Sequence, residues 1–288
     1  MYGIILCIDD KSKISEFLVN KFKKNKNFKI LKICNSINDI NNLNNGEKNI
    51  FILIDFPYLI SKNLLENNIF INCHGSLLPD YRGHHATGWA FINMNEYIGY
   101  TIHLIEEKFD SGKILFQDKF KIKESDTFNT LKNKIILSIQ ENYDKVVLNF
   151  MRGKIKPKTQ KSKFPIYVTK RNLRDCYIEW DNSAKYIENF IRSVSFPSAP
   201  GAFTIYKDKK IIINKVEIYN SQDYVETPGH ILLIDEKGVL VKVKDKAVWI
   251  IEVIIENKIH MANEIFNTIG HRLGIDLVNE KLIQLKIK

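Results

Sequence analysis

A chain of 288 residues with 44% hydrophobic and 11% aromatic residues is long and apolar enough to bury the core of one large domain plus a smaller one. No apolar run approaches the length of a membrane span and the N-terminus lacks a charged-then-apolar leader pattern, so the expected compartment is the cytoplasm. The four cysteines (Cys7, Cys34, Cys73, Cys176) form no Cys-x-x-Cys pair, which argues against a zinc site or disulfide framework, and a net charge of +10 raises nucleic acid as a partner to be weighed.

Tyr2–Ile8 reads as a buried strand, and Ser12–Phe22 carries apolar residues at helical spacing. Phe28–Cys34 is a second strand, and Asn35–Lys48 a polar, Asn-rich short helix and loop. Asn49–Asp55 is a third strand, Ser61–Glu66 a helical turn and Ile69–His74 a fourth strand. Strands alternating with short helices predict an α/β domain on a parallel sheet of Rossmann-like type. Ile8-Asp9-Asp10-Lys11 stands where a dinucleotide fold would place its Gly-x-Gly-x-x-Gly, which disfavours a dinucleotide cofactor. His84–Asn93 reads as a helix, Tyr100–Ile105 and Lys113–Ile122 as paired strands, and Asp126–Asn149 as a long amphipathic helix closing a domain over 1–150.

Most of the net charge sits just beyond that domain. Residues 1–150 balance 19 basic against 17 acidic side chains, whereas 151–171 carry Arg152, Lys154, Lys156, Lys158, Lys161, Lys163, Lys170 and Arg171 with no acidic residue. Such a segment reads first as a solvated linker, here 151–176, with phosphate attraction as the sharper alternative. Ala184–Val194 is a helix, broken by Phe196–Phe203. Lys210–Tyr219, Gly229–Ile234, Val239–Lys244 and Ala247–Ile255 are short strands with turns between them, which predicts a small barrel or sheet over 177–288.

The chemistry concentrates in Asn72-Cys73-His74-Gly75-Ser76-Leu77-Leu78-Pro79-Asp80-Tyr81-Arg82-Gly83 and, further on, Asp110-Ser111-Gly112. An amide NH₂ can donate to a developing oxyanion, an imidazole can move a proton near neutral pH, and a carboxylate can orient that imidazole. Together they suit formyl or acyl transfer to an amine. Each piece alone reads more often as a turn or a satisfied histidine. The apolar Leu77-Leu78-Pro79 loop beside them, at a strand C-terminus, is where open α/β sheets place ligands. Cys73 alternates to the opposite face of its strand and reads as structural, not as a nucleophile.

These blocks, with Gly99-Tyr100-Thr101-Ile102-His103 and Asp110–Gln117, resemble the folate-dependent formyltransferases. That superfamily includes methionyl-tRNA formyltransferase, glycinamide ribonucleotide formyltransferase and the sugar N-formyltransferases. The resemblance implies 10-formyltetrahydrofolate as cosubstrate, no metal, and Asn72, His74 and Asp110 as the catalytic set. It also implies folate contacts from Tyr58, Leu59 and Ile60, from Ser76, Leu77, Leu78 and Pro79, and from Glu106, Glu107, Lys108 and Phe109. Acceptor contacts are expected from Tyr81, Arg82, Gly83 and Arg192. Ile178-Glu179-Trp180, Ile191-Arg192 and Pro200–Phe203 resemble the start of the OB-like C-terminal domain of the tRNA and sugar enzymes. The fold expected is therefore a Rossmann-like formyltransferase domain with a smaller β-rich, OB-like C-terminal domain.

Two acceptors compete. The tRNA enzymes carry a basic, glycine-containing insertion after the second strand; Asn35–Lys48 stands there, short, with one Lys and no Arg. His-Gly-Ser-Leu-Leu-Pro-x-Tyr-Arg-Gly resembles the sugar branch, since the tRNA enzymes usually carry Ala at position 75 and Trp at position 81. The expected partner is a UDP- or dTDP-linked amino sugar destined for bacterial surface glycans. Nucleic acid and membrane are disfavoured, and a homodimer is allowed. Methionyl-tRNA formyltransferase is the alternative, and an inactive folate- or nucleotide-binding relative the second.

Overall fold

The structure is a computed structural model that describes residues 1–43, 48–162, 164–220 and 226–274. It divides into two compact units. The first comprises 1–90, 95–122 and 131–170; the second comprises 91–94, 123–130 and 171–288.

In the first unit the strands are β1 (Tyr2–Ile8), β2 (Phe28–Cys34), β3 (Ile50–Ile54) and β4 (Ile69–His74), separated by α1 (Lys13–Lys24), α2 (Ile37–Asn41) and α3 (Lys62–Asn67). After them come β5 (Arg82–Gly83), α4 (Ala86–Ile92), β6 (Tyr97–Leu104), β7 (Ile114–Lys121), α5 (Phe128–Met151) and β8 (Tyr167–Val168), with 91–92 of α4 and 128–130 of α5 counted in the second unit. The main sheet runs β2-β1-β3-β4-β6-β7. Its first four strands are mutually parallel, as their alternation with helices predicts, while β6 and β7 are antiparallel additions. β1 and β3, inside the parallel set, are nearly continuous apolar runs, as strands covered on both faces are: Ile4, Leu6, Cys7, Phe51 and Ile52 are almost fully buried.

Local chemistry sets the helix limits. Ser36 and Asp39 form a capping box at the start of α2, and Lys21, Lys23 and Lys24 sit in the last turn of α1, where the helix dipole favours positive charge. Residues 44–47, part of the segment expected to be a short helix and loop, lie outside the described residues. Tyr143 of α5 is fully buried and donates its hydroxyl to Leu53 O (2.6 Å) and Ile71 O (3.2 Å), so its polar tip is satisfied within the core.

Two features had no sequence signal. β5 and β8 pair in parallel, Arg82 with Tyr167 and Gly83 with Val168, and each is only two residues long. Residues 151–170 pack with the first unit: Lys158 exchanges two backbone bonds with Ile114 (2.8 Å each) and Arg152 donates to Asn27 Oδ1 (2.8 Å). Lys163 lies outside the described residues.

The second unit holds α6 (Ala184–Ser193), β9 (Ala202–Tyr206), β10 (Lys209–Tyr219), β11 (Ile231–Asp235), β12 (Gly238–Lys242), β13 (Ala247–Ile255), β14 (Lys258–Met261) and α7 (Ala262–Ile265). Its antiparallel sheet runs β11-β12-β13-β10-β9, with β14 on β13. β9 begins inside the stretch read as a break: Pro200 and Gly201 mask an apolar run that pairs with β10. The segment after α7 links the ends of the sheet. Ile231 N donates to His271 O (2.9 Å) and Gly274 N donates to Ile205 O (3.0 Å), so backbone bonds reach from β11 to β9 without direct pairing of the two strands. Residues 275–288, included in the expected C-terminal domain, lie outside the described residues. Among the described residues no helix is long and apolar enough to cross a membrane.

Candidate active site

β4 ends at Asn72-Cys73-His74, and the two-residue strand period puts Asn72 and His74 on one face. Across the antiparallel pair, Asn72 faces His103 and His74 faces Thr101, and Thr101 in turn faces Gln117 on β7. This row of register partners shapes the loop after β4. Thr101 Oγ1 donates to Ser76 O (2.7 Å) and accepts from Leu78 N (3.0 Å) and Gln117 Nε2 (2.9 Å). Gln117 also donates to Leu78 O (2.8 Å), and Ser76 Oγ donates to Asp80 O (2.6 Å). The loop is thus pinned from the sheet beneath it at Ser76 and Leu78.

The hydrogen bonds fix both histidine tautomers, since a backbone carbonyl only accepts. His74 Nε2–H donates to Tyr81 O (2.8 Å), which leaves Nδ1 facing Asp110 Oδ2 at 3.5 Å. His103 Nδ1–H donates to Leu104 O (2.7 Å), so Nε2 is the acceptor for Asn72 Nδ2 at 3.4 Å. The Asn72 contact requires the neutral Nδ1–H form of His103, and the Leu104 contact is compatible with it. Burial holds its pKa down at about 4, against the opposing pull of Asp110, whose Oδ1 is 3.5 Å from Nε2. His103 therefore orients the Asn72 amide and leaves one of its N–H bonds to point elsewhere.

Asp110 is held from its own backbone outward. Its φ is +47°, in the left-handed region, and its Oδ2 accepts from Gly83 N (2.9 Å). Gly83 is itself at φ +97°, and a Cβ there would lie 2.4 Å from Val168 O, so only glycine lets the amide reach the carboxylate. Gly75 is constrained by Thr87, whose Oγ1 donates to Gly75 O (2.5 Å) and would sit 2.8 Å from any Cβ at position 75.

The expected contact residues are distributed around this centre. Tyr58 and Leu59, after β3, are 45% and 65% exposed, while Ile60 packs on the core beneath them. Ser76 and Leu78 are buried, and Leu77 and Pro79 half-buried. Glu106, Glu107, Lys108 and Phe109 lead exposed into Asp110, with Glu107 4.0 Å from Lys62. Exposed apolar side chains of this kind are the observation that fits an aromatic, partly apolar cosubstrate such as a folate. A cavity of about 230 Å³ beside the loop is lined by Ser76, Leu77, Tyr81, Glu96 and Tyr97, among others, but by none of Asn72, His74 and Asp110.

The two arginines expected to contact an acceptor are committed internally. Arg82 is 7% exposed; Nη1 donates to Tyr167 OH (3.0 Å) and Nη2 to Gln160 Oε1 (2.7 Å), leaving only Nε without a partner among the described residues. Arg192 belongs to the second unit, where it donates to Asp126 O (2.7 Å), Lys123 O (3.2 Å) and Asn189 Oδ1 (3.2 Å). Tyr81 sits at φ +56° with its hydroxyl on Asn95 Oδ1 (2.8 Å). Desolvation pushes the Cys73 thiol up, against thiolate chemistry there. No group of three or more His, Cys, Asp or Glu side chains is placed to hold a metal ion among the described residues.

The roles of His103 and Gln160 come from the folded site. His103 was within reach of a strand-pairing argument, because Gly99–His103 alternates like β4. Gln160, in a polar segment, offers no such pattern.

The lowered pKa of His103 links the site to acid stability. The unfolded chain protonates this histidine near pH 6.5 and the folded chain only near 4, so the unfolded state binds the extra proton between those values. Stability from this group is full above pH 6.5, falls as the pH drops towards 4 and is gone below it, a loss of up to about 3 kcal/mol. Denaturant unfolding of the wild type and His103→Gln across that window should give a flatter pH dependence for the variant. Parallel slopes would mean that His103 titrates alike in both states.

The family models described as formyl transferase and formyl transferase C-terminal domain match residues 21–147 and 172–270. Among curated proteins, the bifunctional polymyxin resistance protein ArnA of Wigglesworthia glossinidia brevipalpis is 40% identical over 161 residues, 56% of this chain and 24% of that protein. The methionyl-tRNA formyltransferase of Clostridium tetani is 30% identical over 199 residues, 68% of this chain and 63% of that protein. The chain thus spans less than two thirds of either relative. Among solved structures, WlaRD, a sugar 3N-formyl transferase crystallised in the presence of dTDP and 5-N-formyl-THF, superposes with a TM-score of 0.65 at 19% identity, covering 90% of this chain and all of that one. Two family models that together match most of the chain, over a parallel sheet and a β-rich unit, place it in the formyl transferase family.

Proposed function

We propose that the chain transfers a formyl group from 10-formyltetrahydrofolate to the amine of a nucleotide-linked amino sugar, in the cytoplasm and for bacterial surface glycans. The observation that carries the reading is the convergence of His74 Nδ1 and His103 Nε2 on the Asp110 carboxylate, with the Asn72 amide held on His103 Nε2. The donor supplies a formyl carbon whose bond to a weakly basic nitrogen is exchanged for one to the acceptor amine. Asn72 donates its remaining N–H to the formyl oxygen as charge builds there, an interaction worth about 3 kcal/mol. Tyr81 O occupies His74 Nε2, so the proton lost by the amine goes to Nδ1, and the imidazolium formed pairs with Asp110. The same proton is then returned to the departing nitrogen.

On the donor side, Tyr58, Leu59, Leu77, Pro79 and Phe109 provide the apolar contacts, with Ile60, Ser76, Leu78, Glu106, Glu107 and Lys108 around them. On the acceptor side, Tyr81 and Gly83 shape the approach. Arg82 contributes positive potential and not a free guanidinium fork, given its internal bonds. The domain limits that accompany this reading are 1–150, a linker at 151–176 and 177–288.

The short segment 35–48 supports a sugar over a tRNA, since α2 there has five residues and the segment holds a single lysine. Gly75 and Tyr81 support it too. A second reading, methionyl-tRNA formylation, is favoured by the Clostridium tetani relative and by the basic residues of 151–171.

Incubation with 10-formyltetrahydrofolate and a panel of UDP- and dTDP-linked 3-amino and 4-amino sugars, beside initiator methionyl-tRNA, separates the two. We expect one sugar to be formylated with mild salt dependence and the tRNA to stay at background. Efficient tRNA formylation falling steeply with salt, with every sugar unmodified, would promote the second reading.

A further inference from the structure

We infer that Gln160 is a positioning residue that sets the place of Asp110, an inference that rests on the function proposed for the site. Gln160 makes three side-chain hydrogen bonds there, through both of its donors and its oxygen. Its Nε2 donates to Asp110 O (2.7 Å) and to Gly112 O (2.8 Å), two carbonyls of the aspartate's own turn. Its Oε1 accepts from Arg82 Nη2 (2.7 Å), next in sequence to Gly83, whose amide donates to the Asp110 carboxylate. One amide side chain therefore ties the backbone that carries Asp110 to the segment that receives its carboxylate.

The segment bearing Gln160 is anchored on both sides. Lys158 exchanges backbone bonds with Ile114 before it, and after it Arg82 N donates to Ile166 O (2.9 Å) and His84 N to Val168 O (3.1 Å). Arg82 itself is braced by the Tyr167 hydroxyl and lies over that ring at 5.5 Å. Such bracing answers a need in the aspartate loop. A non-glycine residue at φ +47° persists only where its surroundings over-determine it, and Asp110 is held at its carbonyl by Gln160 and at its carboxylate by Gly83. A glutamine suits the place because only a side-chain amide offers two donors to two carbonyls and an acceptor to a guanidinium.

Two substitutions test this. Gln160→Glu keeps length and the Arg82 contact but turns lone pairs towards both carbonyls, and Gln160→Met keeps size and removes every polar group. Amide hydrogen exchange on the ligand-free protein reads the placement directly, since Gly83 N–H is protected by the Asp110 carboxylate. Both variants should speed exchange at Gly83 about tenfold or more, with no change at Ile71 in β4. With 10-formyltetrahydrofolate and a dTDP-linked 3-amino sugar, kcat should fall about tenfold with the donor KM unchanged. In an Asp110→Asn background, Gln160→Met should cost nothing further.

Unchanged Gly83 exchange in both variants overturns the proposal, as do equal kcat losses with and without Asp110. A fully active Asp110→Asn enzyme defeats the function proposed for the site instead, and the Gly83 exchange then still decides whether Gln160 positions Asp110.

Discussion

His74→Gln should lower kcat by about 10³-fold or more, with donor binding and thermal unfolding close to those of the wild type. Glutamine carries its amide nitrogen at the reach of Nε2 and can still donate to Tyr81 O, so the turn at φ +56° keeps its partner. What vanishes is Nδ1, the one ring nitrogen not spent on the backbone and the one that faces Asp110. The amine proton then has no acceptor paired to the carboxylate, and transfer must use water. Because the loss falls on proton movement and not on ground-state contacts, it belongs in kcat and not in the KM of either substrate. Steady-state kinetics with the acceptor identified by the sugar panel, beside calorimetric binding of a folate, measure both halves. Turnover within a few-fold of the wild type would remove His74 from the chemistry. A rise in KM alone would make it a binding residue.

Gly112→Ala should disable the enzyme from outside the catalytic set, with kcat/KM down about 10²-fold and the unfolding temperature several degrees lower. A Cβ at this position would stand 1.7 Å from Leu104 O and 2.6 Å from Leu104 C, both backbone atoms of β6 with no flexible end to yield. The loop must therefore move, and it carries Asp110 two residues upstream and the Gly112 carbonyl that Gln160 holds. Overpacking of this kind costs about 1–3 kcal/mol, and displacing a catalytic carboxylate by about 1 Å is enough for the kinetic loss. Gly153→Ala is the control: nothing lies within 4 Å of a Cβ there, although φ is +70°. It should lower stability slightly and leave kcat alone. Equal kinetic losses in the two variants would show that a general loss of stability, and not the clash with β6, accounts for the effect.

Elements with a local, periodic signal are legible in the residues alone. β2, β4 and β13 fall on the residues their apolar patterning predicts, Phe28–Cys34, Ile69–His74 and Ala247–Ile255, and alternation with helices is enough to make β1 to β4 parallel. Strand periodicity alone likewise puts Asn72 and His74 on one face. What those side chains meet is set by contacts distant in the chain. Whether His74 offers Nδ1 or Nε2 depends on a carbonyl seven residues away, at a turn with positive φ. The neutrality of His103 depends on burial beside a loop that its neighbour Thr101 pins. The bonds from Gln160 to Asp110 and from Arg82 to Gln160 span 50 and 78 residues, and the β5–β8 pair that supports them is two residues long. Contacts of that kind leave no period in the chain, because a single hydrogen bond constrains one residue at each end and nothing between them.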